Sequence, residues 1–370
     1  MGRKNLVAKA KLNLALQGGG AHGAFTWGVL DRILEDETIE IGWISGTSAG
    51  ALNAVALAVG LAEGGADGSR RRLASLWGAI GQAGDPEFLK LNPWLAGLSR
   101  SVTLQKMAQL FSPYEINPLG IDPLRKVLEA QLDLTLLRTT SGPELLIAAT
   151  HMGSGVARLF KRQELTIEAV LASACLPMMQ HAVEIDGVAY WDGGFSANPD
   201  VLTLARESSV QDTLIVQLAP LTRDVRPTSA RDITGHMYHL MFNQPYVREL
   251  EAIAAVQRRV QKARWRPWRQ APDADQKVGA HRFHLIEAGR FTGGLSIESR
   301  GKPEIELLSY LFSAGRQEAG KWLDRNRSAI GVRDTAEIAA RLDAHRLSAL
   351  GVANGGTAGA HDAVSATEAA

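Results

Sequence analysis

The chain has 370 residues, of which 45% are hydrophobic and 21% charged, so it can bury a sizeable core and is not collagen-like, disordered or a disulfide scaffold. Its 40 Lys and Arg residues balance 39 Asp and Glu residues, so no overall field attracts nucleic acid, and we expect no nucleic-acid partner. The single cysteine, Cys175, and the lack of a signal-peptide pattern after Met1 predict a reducing, cytoplasmic location.

The first 60 residues alternate short apolar runs with glycine-rich corners, the pattern of βαβα units on a parallel sheet. The predicted strands lie at 12–16, 39–44, 144–149, 213–218 and 282–286, and the first helices at 23–34 and 49–59. This interleaving predicts an α/β fold with a doubly wound, mostly parallel sheet flanked by helices. The longest apolar segment, 49–61, is too short to cross a membrane and contains Asn53, so we expect no spanning helix.

Prolines and apolar clusters interrupt this pattern between residues 84 and 120, which predicts a cap or insertion near 84–120. It is apolar enough to serve as a lid over a site, although a packed core would explain the same residues, namely Trp94, Leu95, Leu98, Phe111 and Tyr114. Asp122 and Pro123 then form a helix start.

The second half of the chain becomes helical, at 229–264, 303–330 and 335–350, with no linker-like stretch between the helices. We therefore predict an N-terminal extension at 1–11, one domain at 12–350 and a disordered tail at 351–370, which is rich in Ala, Gly and Thr.

The first glycine-rich corner, from Gly18 to Gly23, connects a predicted strand to a predicted helix. Backbone N–H groups at such a corner suit a negative charge. The glycines also match a dinucleotide-binding fingerprint, but the second strand ends without the acidic residue that would hold a ribose. No Lys-Ser or Lys-Thr pair completes a P-loop.

The second corner reads Gly46-Thr47-Ser48-Ala49-Gly50 and again connects a strand to a helix. This is the G-x-S-x-G pattern, in which small neighbours allow a tight turn that exposes the serine hydroxyl. Ser48 is therefore a candidate nucleophile. The alternative is that Ser48 only caps the following helix.

A nucleophilic serine needs a base, and the histidines are poorly placed to supply one. His151 follows a predicted strand, a position more typical of a structural residue, and the other candidates do not lie at glycine-rich strand ends: His236, His239, His281, His284, His345 and His361. The third corner, Asp192-Gly193-Gly194, follows a predicted hairpin at 183–190 and could bring a carboxylate against Ser48. The alternative for Asp192 is a simple Asx-turn.

Together the three corners, with the segment 172–177, resemble the patatin-like phospholipase family over about residues 12–199. The resemblance implies a patatin-like Ser-Asp hydrolase fold that cleaves lipid acyl esters without a metal or other cofactor. It implies that Ser48 is the nucleophile and Asp192 the base. The glycines then divide into an oxyanion hole (Gly18, Gly19, Gly20 and Gly23), the elbow (Gly46 and Gly50) and supports of the aspartate (Gly193 and Gly194). His22 stands where many members carry Arg or Lys, which leaves the headgroup preference open.

The segment 257–270 carries six basic residues, two tryptophans and no acid. Our hypothesis is peripheral membrane contact through Arg258 to Arg269, and the alternative is a solvated helix end with inward-packed tryptophans. The sequence thus favours a hydrolase acting on lipid or other acyl-ester substrates and identifies no protein partner. The alternatives are a carboxylesterase or thioesterase for small soluble substrates, a lipid-binding protein with an inert dyad and a nucleotide-binding oxidoreductase.

Overall fold

The structure is a computed structural model that describes residues 9–83, 112–222, 226–264, 272–295 and 297–349. Most of the predicted cap, including Trp94, Leu95, Leu98 and Phe111, lies outside the described residues. The predicted tail and nearly all of the predicted N-terminal extension also lie outside them.

The described residues contain one eight-stranded sheet. Its strands are β1 (Ala10–Leu16), β2 (Ile39–Thr47), β3 (Leu145–His151), β4 (Ala157–Lys161), β5 (Val183–Ile185), β6 (Val188–Asp192), β7 (Asp212–Gln217) and β8 (Arg282–Glu287). Five neighbours in the order β3-β2-β1-β7-β8 are parallel, while β4 and β6 run antiparallel to β3 and β5 forms a hairpin with β6. The predicted mostly parallel α/β sheet is confirmed.

Helices pack on both faces of this sheet. They are α1 (Gly23–Ile33), α2 (Ala49–Ala83), α3 (Pro113–Ile116), α4 (Pro123–Gln131), α5 (Thr135–Thr139), α6 (Ile167–Ser173), α7 (Leu202–Glu207), α8 (Ala230–Arg264), α9 (Asp273–Ala280), α10 (Gly289–Thr292), α11 (Ile305–Asn326) and α12 (Ile338–Ala349). The sequence prediction missed β4 and the helices α3, α5, α6, α7, α9 and α10, because such short elements contain too few residues to show a period.

The centre of the sheet is a topological switch point. β1 is buried from Leu12 to Leu16 and lies between β2 and β7, so the chain winds from it in both directions. Ligands of doubly wound folds bind in the crevice outside the carboxyl ends of the strands at such a point. The two corners at Gly18 and Ser48 both lie at this end of the sheet.

The helix α2 is longer than predicted and is broken in the middle. Its backbone leaves the helical region at Gly64 and Gly65, and Gly65 has a left-handed φ of 64°. By length and composition alone α2 could cross a membrane, but 67% of its most apolar window is buried inside the fold. Its burial against the sheet identifies it as a core helix.

The helix α11, in the C-terminal part of the chain, packs closely along α1. A Cβ atom on Gly28 would lie 2.0 Å from the Phe312 carbonyl oxygen, and one on Gly315 would lie 2.1 Å from the Phe25 carbonyl oxygen. The Asp31 carboxylate of α1 also forms ion pairs with Arg70 of α2 and Arg316 of α11. These contacts connect the C-terminal helices to the N-terminal βαβα units.

Candidate active site

Ser48 lies at a tight turn between β2 and α2. Its φ of 55° places a non-glycine residue in the left-handed region, which is the strained geometry of a nucleophile elbow. The turn packs so closely that a Cβ atom on Gly50 would lie 2.0 Å from the Leu16 carbonyl oxygen. The carbonyl oxygen of Ser48 accepts a hydrogen bond from the Leu52 N–H, so the residue also begins the helix, as the alternative interpretation supposed.

Two side-chain hydrogen bonds fix the elbow. The Ser48 N–H donates to Ser173 Oγ at 3.0 Å, and Thr47 Oγ1 donates to the Ala197 carbonyl oxygen at 2.7 Å. Ser173 ends α6, and Ala197 follows the third corner. The sequence analysis included Ser173 only as part of the segment 172–177 and gave it no role, because a single serine carries no sign of what it will contact.

Strand register brings Asp192 to Ser48. Thr47 at the end of β2 pairs with Ala148 of β3, and Asp192 at the end of β6 pairs with the next residue, Ala149. One edge of β3 pairs with β4. β2 and β6 therefore share the opposite edge, where β6 pairs with the residues of β3 that follow those paired with β2. The last residues of β2 and β6 are therefore adjacent, although they are distant in sequence.

The carboxylate of Asp192 is buried, with its two oxygens in different environments. Oδ1 accepts the Gly194 N–H at 2.7 Å, which is the Asx-turn of the alternative interpretation. Oδ2 is buried and makes no direct hydrogen bond among the described residues. The Ser48 side chain is nevertheless near enough to lower the pKa of the carboxyl group. The turn therefore holds one oxygen and leaves the other available to the serine.

Burial raises the pKa of Asp192 from 3.8 to about 7, while the Gly194 N–H and the Ser48 side chain act in the opposite direction. An exposed aspartate is a poor base for an alcohol, and a pKa near neutrality makes it a better one. The site therefore contains a serine in a strained turn beside a carboxylate that is poised to accept a proton.

The glycines of the first corner lie beside the serine, but their N–H groups differ in availability. A Cβ atom on Gly18 would lie 2.9 Å from Ser48 Cβ, and the Gly18 N–H already donates to Asn198 Oδ1 at 2.8 Å. The Gly23 N–H donates to carbonyl oxygens within the loop. Within the described residues, the N–H groups of Gly19 and Gly20 donate to no protein acceptor, in contrast to those of Gly18 and Gly23.

Asn198 is a functional candidate that the sequence analysis missed. Its Oδ1 accepts the Gly18 N–H, and its Nδ2 donates to the Phe242 carbonyl oxygen of α8 at 2.9 Å. The side chain thereby connects the first corner, the segment after Asp192 and α8. The available signal was a polar residue just before Pro199 and close to the third corner, which alone is typical of any turn.

The described side-chain contacts of three histidines do not involve Ser48 or Asp192. His22 is buried on the glycine-rich corner with Nε2 at 2.7 Å from Ser299 Oγ. His281 and His284 lie near the amino-terminal ends of β7 and β8, where they contact Thr213 and Asp212, away from Ser48. Burial lowers the pKa of His281 to about 4. Among the described residues, no cluster of His, Cys, Asp and Glu could hold a metal ion.

Only parts of the predicted lid and basic segment are described. Tyr114, of the predicted cap, stacks on His181 with ring centroids 4.0 Å apart, and its hydroxyl accepts the Ala182 N–H. Arg258, Arg259 and Lys262 of the basic segment are exposed on α8, whereas 265–270 lie outside the described residues.

A cavity of about 750 Å³ lies beyond the carboxyl ends of β7 and β8. It does not include Ser48 or Asp192, and its charged lining residues include Arg290, Lys321 and Arg341. Two carboxylates pair with these three cations, because Glu318 contacts both Arg290 and Lys321, and Glu287 contacts Arg341.

Comparison with known proteins gives a family and distant structural relatives. A family model described as patatin-like phospholipase matches residues 14–205, more than half of the chain. A search of curated proteins finds no match. Among solved structures, VipD from Legionella pneumophila is similar at 14% identity with a TM-score of 0.32, over 82% of this chain and 67% of that one. The heterodimeric ExoU-SpcU complex of the Pseudomonas aeruginosa type III secretion system is similar at 17% identity with a TM-score of 0.27, over 94% and 68%.

Proposed function

This chain belongs to the patatin-like phospholipase family, and from that premise we propose that it is a serine acyl hydrolase that cleaves carboxylic ester bonds of phospholipids or related lipids. One observation carries the proposal: Ser48 occupies a left-handed elbow beside the buried carboxylate of Asp192, whose pKa lies near neutrality. The family generally comprises lipid acyl hydrolases, and this pair of residues supplies the nucleophile and base that such chemistry requires.

The reaction begins when the Asp192 carboxylate removes the Ser48 hydroxyl proton and the serine oxygen attacks the ester carbonyl carbon. The N–H groups of Gly19 and Gly20 stabilise the negative oxygen of the tetrahedral intermediate. The carbon–oxygen bond to the alcohol breaks, and the alcohol leaves with the proton from Asp192. Water then attacks the acyl-enzyme after giving a proton to Asp192, and the acid is released as Ser48 regains its proton.

The first experiment is labelling of the purified protein with a fluorophosphonate probe, together with hydrolysis of a phospholipid in mixed micelles. We expect labelling and hydrolysis by the wild type, neither by Ser48→Ala, and a loss of turnover of about three powers of ten in Asp192→Asn. Ser313→Ala, which removes an exposed helix serine, is the control and should label like the wild type.

Equal labelling of wild type and Ser48→Ala would contradict the proposed nucleophile. Near-normal turnover by Asp192→Asn would exclude the dyad. Hydrolysis of monomeric esters without a rise above the critical micelle concentration would identify a carboxylesterase or thioesterase for soluble substrates instead. A labelled serine that hydrolyses none of these esters would favour a lipid-binding protein with an inert dyad.

A further inference from the structure

The outward face of α8 changes in character along its length. Four exposed side chains of its first half form an apolar stripe, defined as Ile233, Met237, Leu240 and Met241, each between 43% and 56% exposed. Their spacing of three and four residues places them on one face of the helix. An exposed stripe of this kind indicates a surface that contacts something apolar.

The same face becomes basic in the second half of the helix. The exposed positions that continue the stripe at helical spacing include Arg248, Arg258, Arg259 and Lys262. Glu251 lies on the same face with a side chain that is 41% exposed, and it pairs with Arg346 of α12. Asp275 of α9 pairs with Arg259, so cations still outnumber carboxylates on this half of the face. Arg248, the first cation of this half, lies about 10 Å beyond Met241 along the helix axis, at a rise of roughly 1.5 Å per residue.

The apolar stripe ends beside the catalytic residues. Phe242, which follows Met241, accepts a hydrogen bond from Asn198 at its carbonyl oxygen, and its ring packs so closely that a Cβ atom on Gly194 would lie 2.2 Å from Cδ1. Another exposed methionine, Met179, lies near Gly301, beside the Arg300 backbone that packs against Gly20. Flexible methionines are suited to an irregular apolar partner.

We propose that the outward face of α8 docks the protein on an anionic phospholipid bilayer, with the apolar stripe in the acyl boundary beside Ser48 and the basic half on the headgroups. The charge of the basic half selects this occupant, because a face with four α8 cations, on which the carboxylate of Glu251 is already paired with Arg346, is complementary to acidic lipids. This inference rests on the proposed function, since it gives an ester at a membrane surface access to the crevice.

The test is vesicle flotation with Ser48→Ala protein, so that hydrolysis does not alter the membrane. We expect binding to phosphatidylcholine vesicles that contain phosphatidylserine, and weaker binding as salt rises. Met237→Ser with Met241→Ser should reduce partitioning at least about tenfold. Arg258→Gln with Lys262→Gln should reduce it about fivefold for each cation removed, and should have little effect on pure phosphatidylcholine vesicles.

The matched control is Val332→Ser, which removes an apolar side chain that is 73% exposed outside α8. Unchanged melting temperatures establish that each variant is folded. Equal binding of control and stripe variants, or no binding by the parent protein, would overturn the proposal. A concentration-dependent dimer that the stripe variant abolishes would also overturn it, by assigning the face to a second copy of this chain. Soluble-ester hydrolysis by the wild type tests the proposed function separately, so the two can fail independently.

Discussion

At the scale of single residues, Asp192 has a structural role in the turn at Gly194 and a proposed chemical role as the base. Oδ1 holds the turn through the Gly194 N–H, and Oδ2 stays buried beside Ser48 with no direct hydrogen bond from the described residues. A carboxylate that is desolvated and incompletely hydrogen-bonded holds a proton more tightly than one in water. The same burial that favours the proposed role of Asp192 as a base therefore makes its charged form costly to the fold.

The first consequence is a pH dependence of catalysis. Only the carboxylate form of Asp192 can remove the serine proton, and its pKa is raised to about 7. We expect kcat/KM for a neutral, soluble ester to rise about tenfold per pH unit below that pKa and to level off above it. A rate that stays constant down to pH 5 would show that a more acidic group is the base.

The second consequence concerns stability. Because the pKa of Asp192 in the folded protein is raised above its ordinary value of 3.8, its stabilising contribution is complete below pH 4 and is lost as the pH rises through about 7. Asp192→Asn removes the charge and should raise the free energy of unfolding by up to about 4 kcal/mol at pH 8, with little change at pH 4. Urea denaturation at the two pH values measures the difference, and an equal effect at both would contradict it.

Asn198 should affect turnover by positioning the glycine-rich corner. Asn198→Ala leaves the Gly18 N–H and the Phe242 carbonyl oxygen without their partner, which costs about 1–3 kcal/mol of unfolding free energy. We expect kcat to fall by about 10- to 100-fold, with KM nearly unchanged.

Asn243→Ala is the control for this prediction. Asn243 is buried, as Asn198 is, but it lies on α8 and donates to the carbonyl oxygens of Pro220 and Leu221. It should lower stability without a comparable loss of kcat. If the two variants lose turnover equally, Asn198 acts through stability alone.

At the scale of secondary-structure elements, α2 contains two glycines with opposite expected effects. A Cβ atom would meet nothing within 4 Å at either Gly65 or Gly78, but Gly65 has a left-handed φ of 64° and Gly78 lies in regular helix. Gly65→Ala should therefore cost about 1 kcal/mol, and Gly78→Ala should stabilise by about the same amount.

Thermal or chemical unfolding of the two α2 variants provides the comparison. The broken helix explains why the prediction of 49–59 was too short. In the sequence, the polar, glycine-rich stretch that follows residue 59 resembles the end of a helix. In the structure, it is a break between two helical segments that both pack against neighbouring elements.

At the scale of the whole molecule, the family match ends at residue 205, but the packing does not. β7 pairs with β1, the Gln17 side chain accepts the N–H groups of Leu218 and Ala219, and α11 packs along α1. Without these elements β1 would become an exposed edge strand and α1 would lose its packing against α11.

Deletion of residues 206–370 should therefore abolish cooperative unfolding. Deletion of 351–370 alone should change the melting temperature by less than about 2 °C, since the composition of that tail predicts disorder. Circular dichroism during heating measures both. A truncated 1–205 chain with a sharp transition would show that the matched region folds by itself.

Much of the fold could be predicted because its signals are local. Asp122 and Pro123 predicted a helix start, and the structure has α4 beginning at Pro123 with the Asp122 side chain accepting the Leu124 N–H. The hairpin predicted at 183–190 is present, and it turns at Asp186 and Gly187, which both have a positive φ. Ser173 and Asn198 could not be predicted as supports of the site, because their partners lie far away in sequence.

The sequence by itself determined the α/β alternation and the three glycine-rich corners, because strand patterns and tight turns depend on residues close together in the chain. Only the tertiary structure decided how the corners meet. The register of β2 and β6 on β3 places Asp192 next to Ser48, burial sets the pKa of the carboxyl group, and long-range hydrogen bonds determine which glycine N–H groups remain available. Register, desolvation and long-range pairing depend on the whole packed chain, which no local pattern encodes.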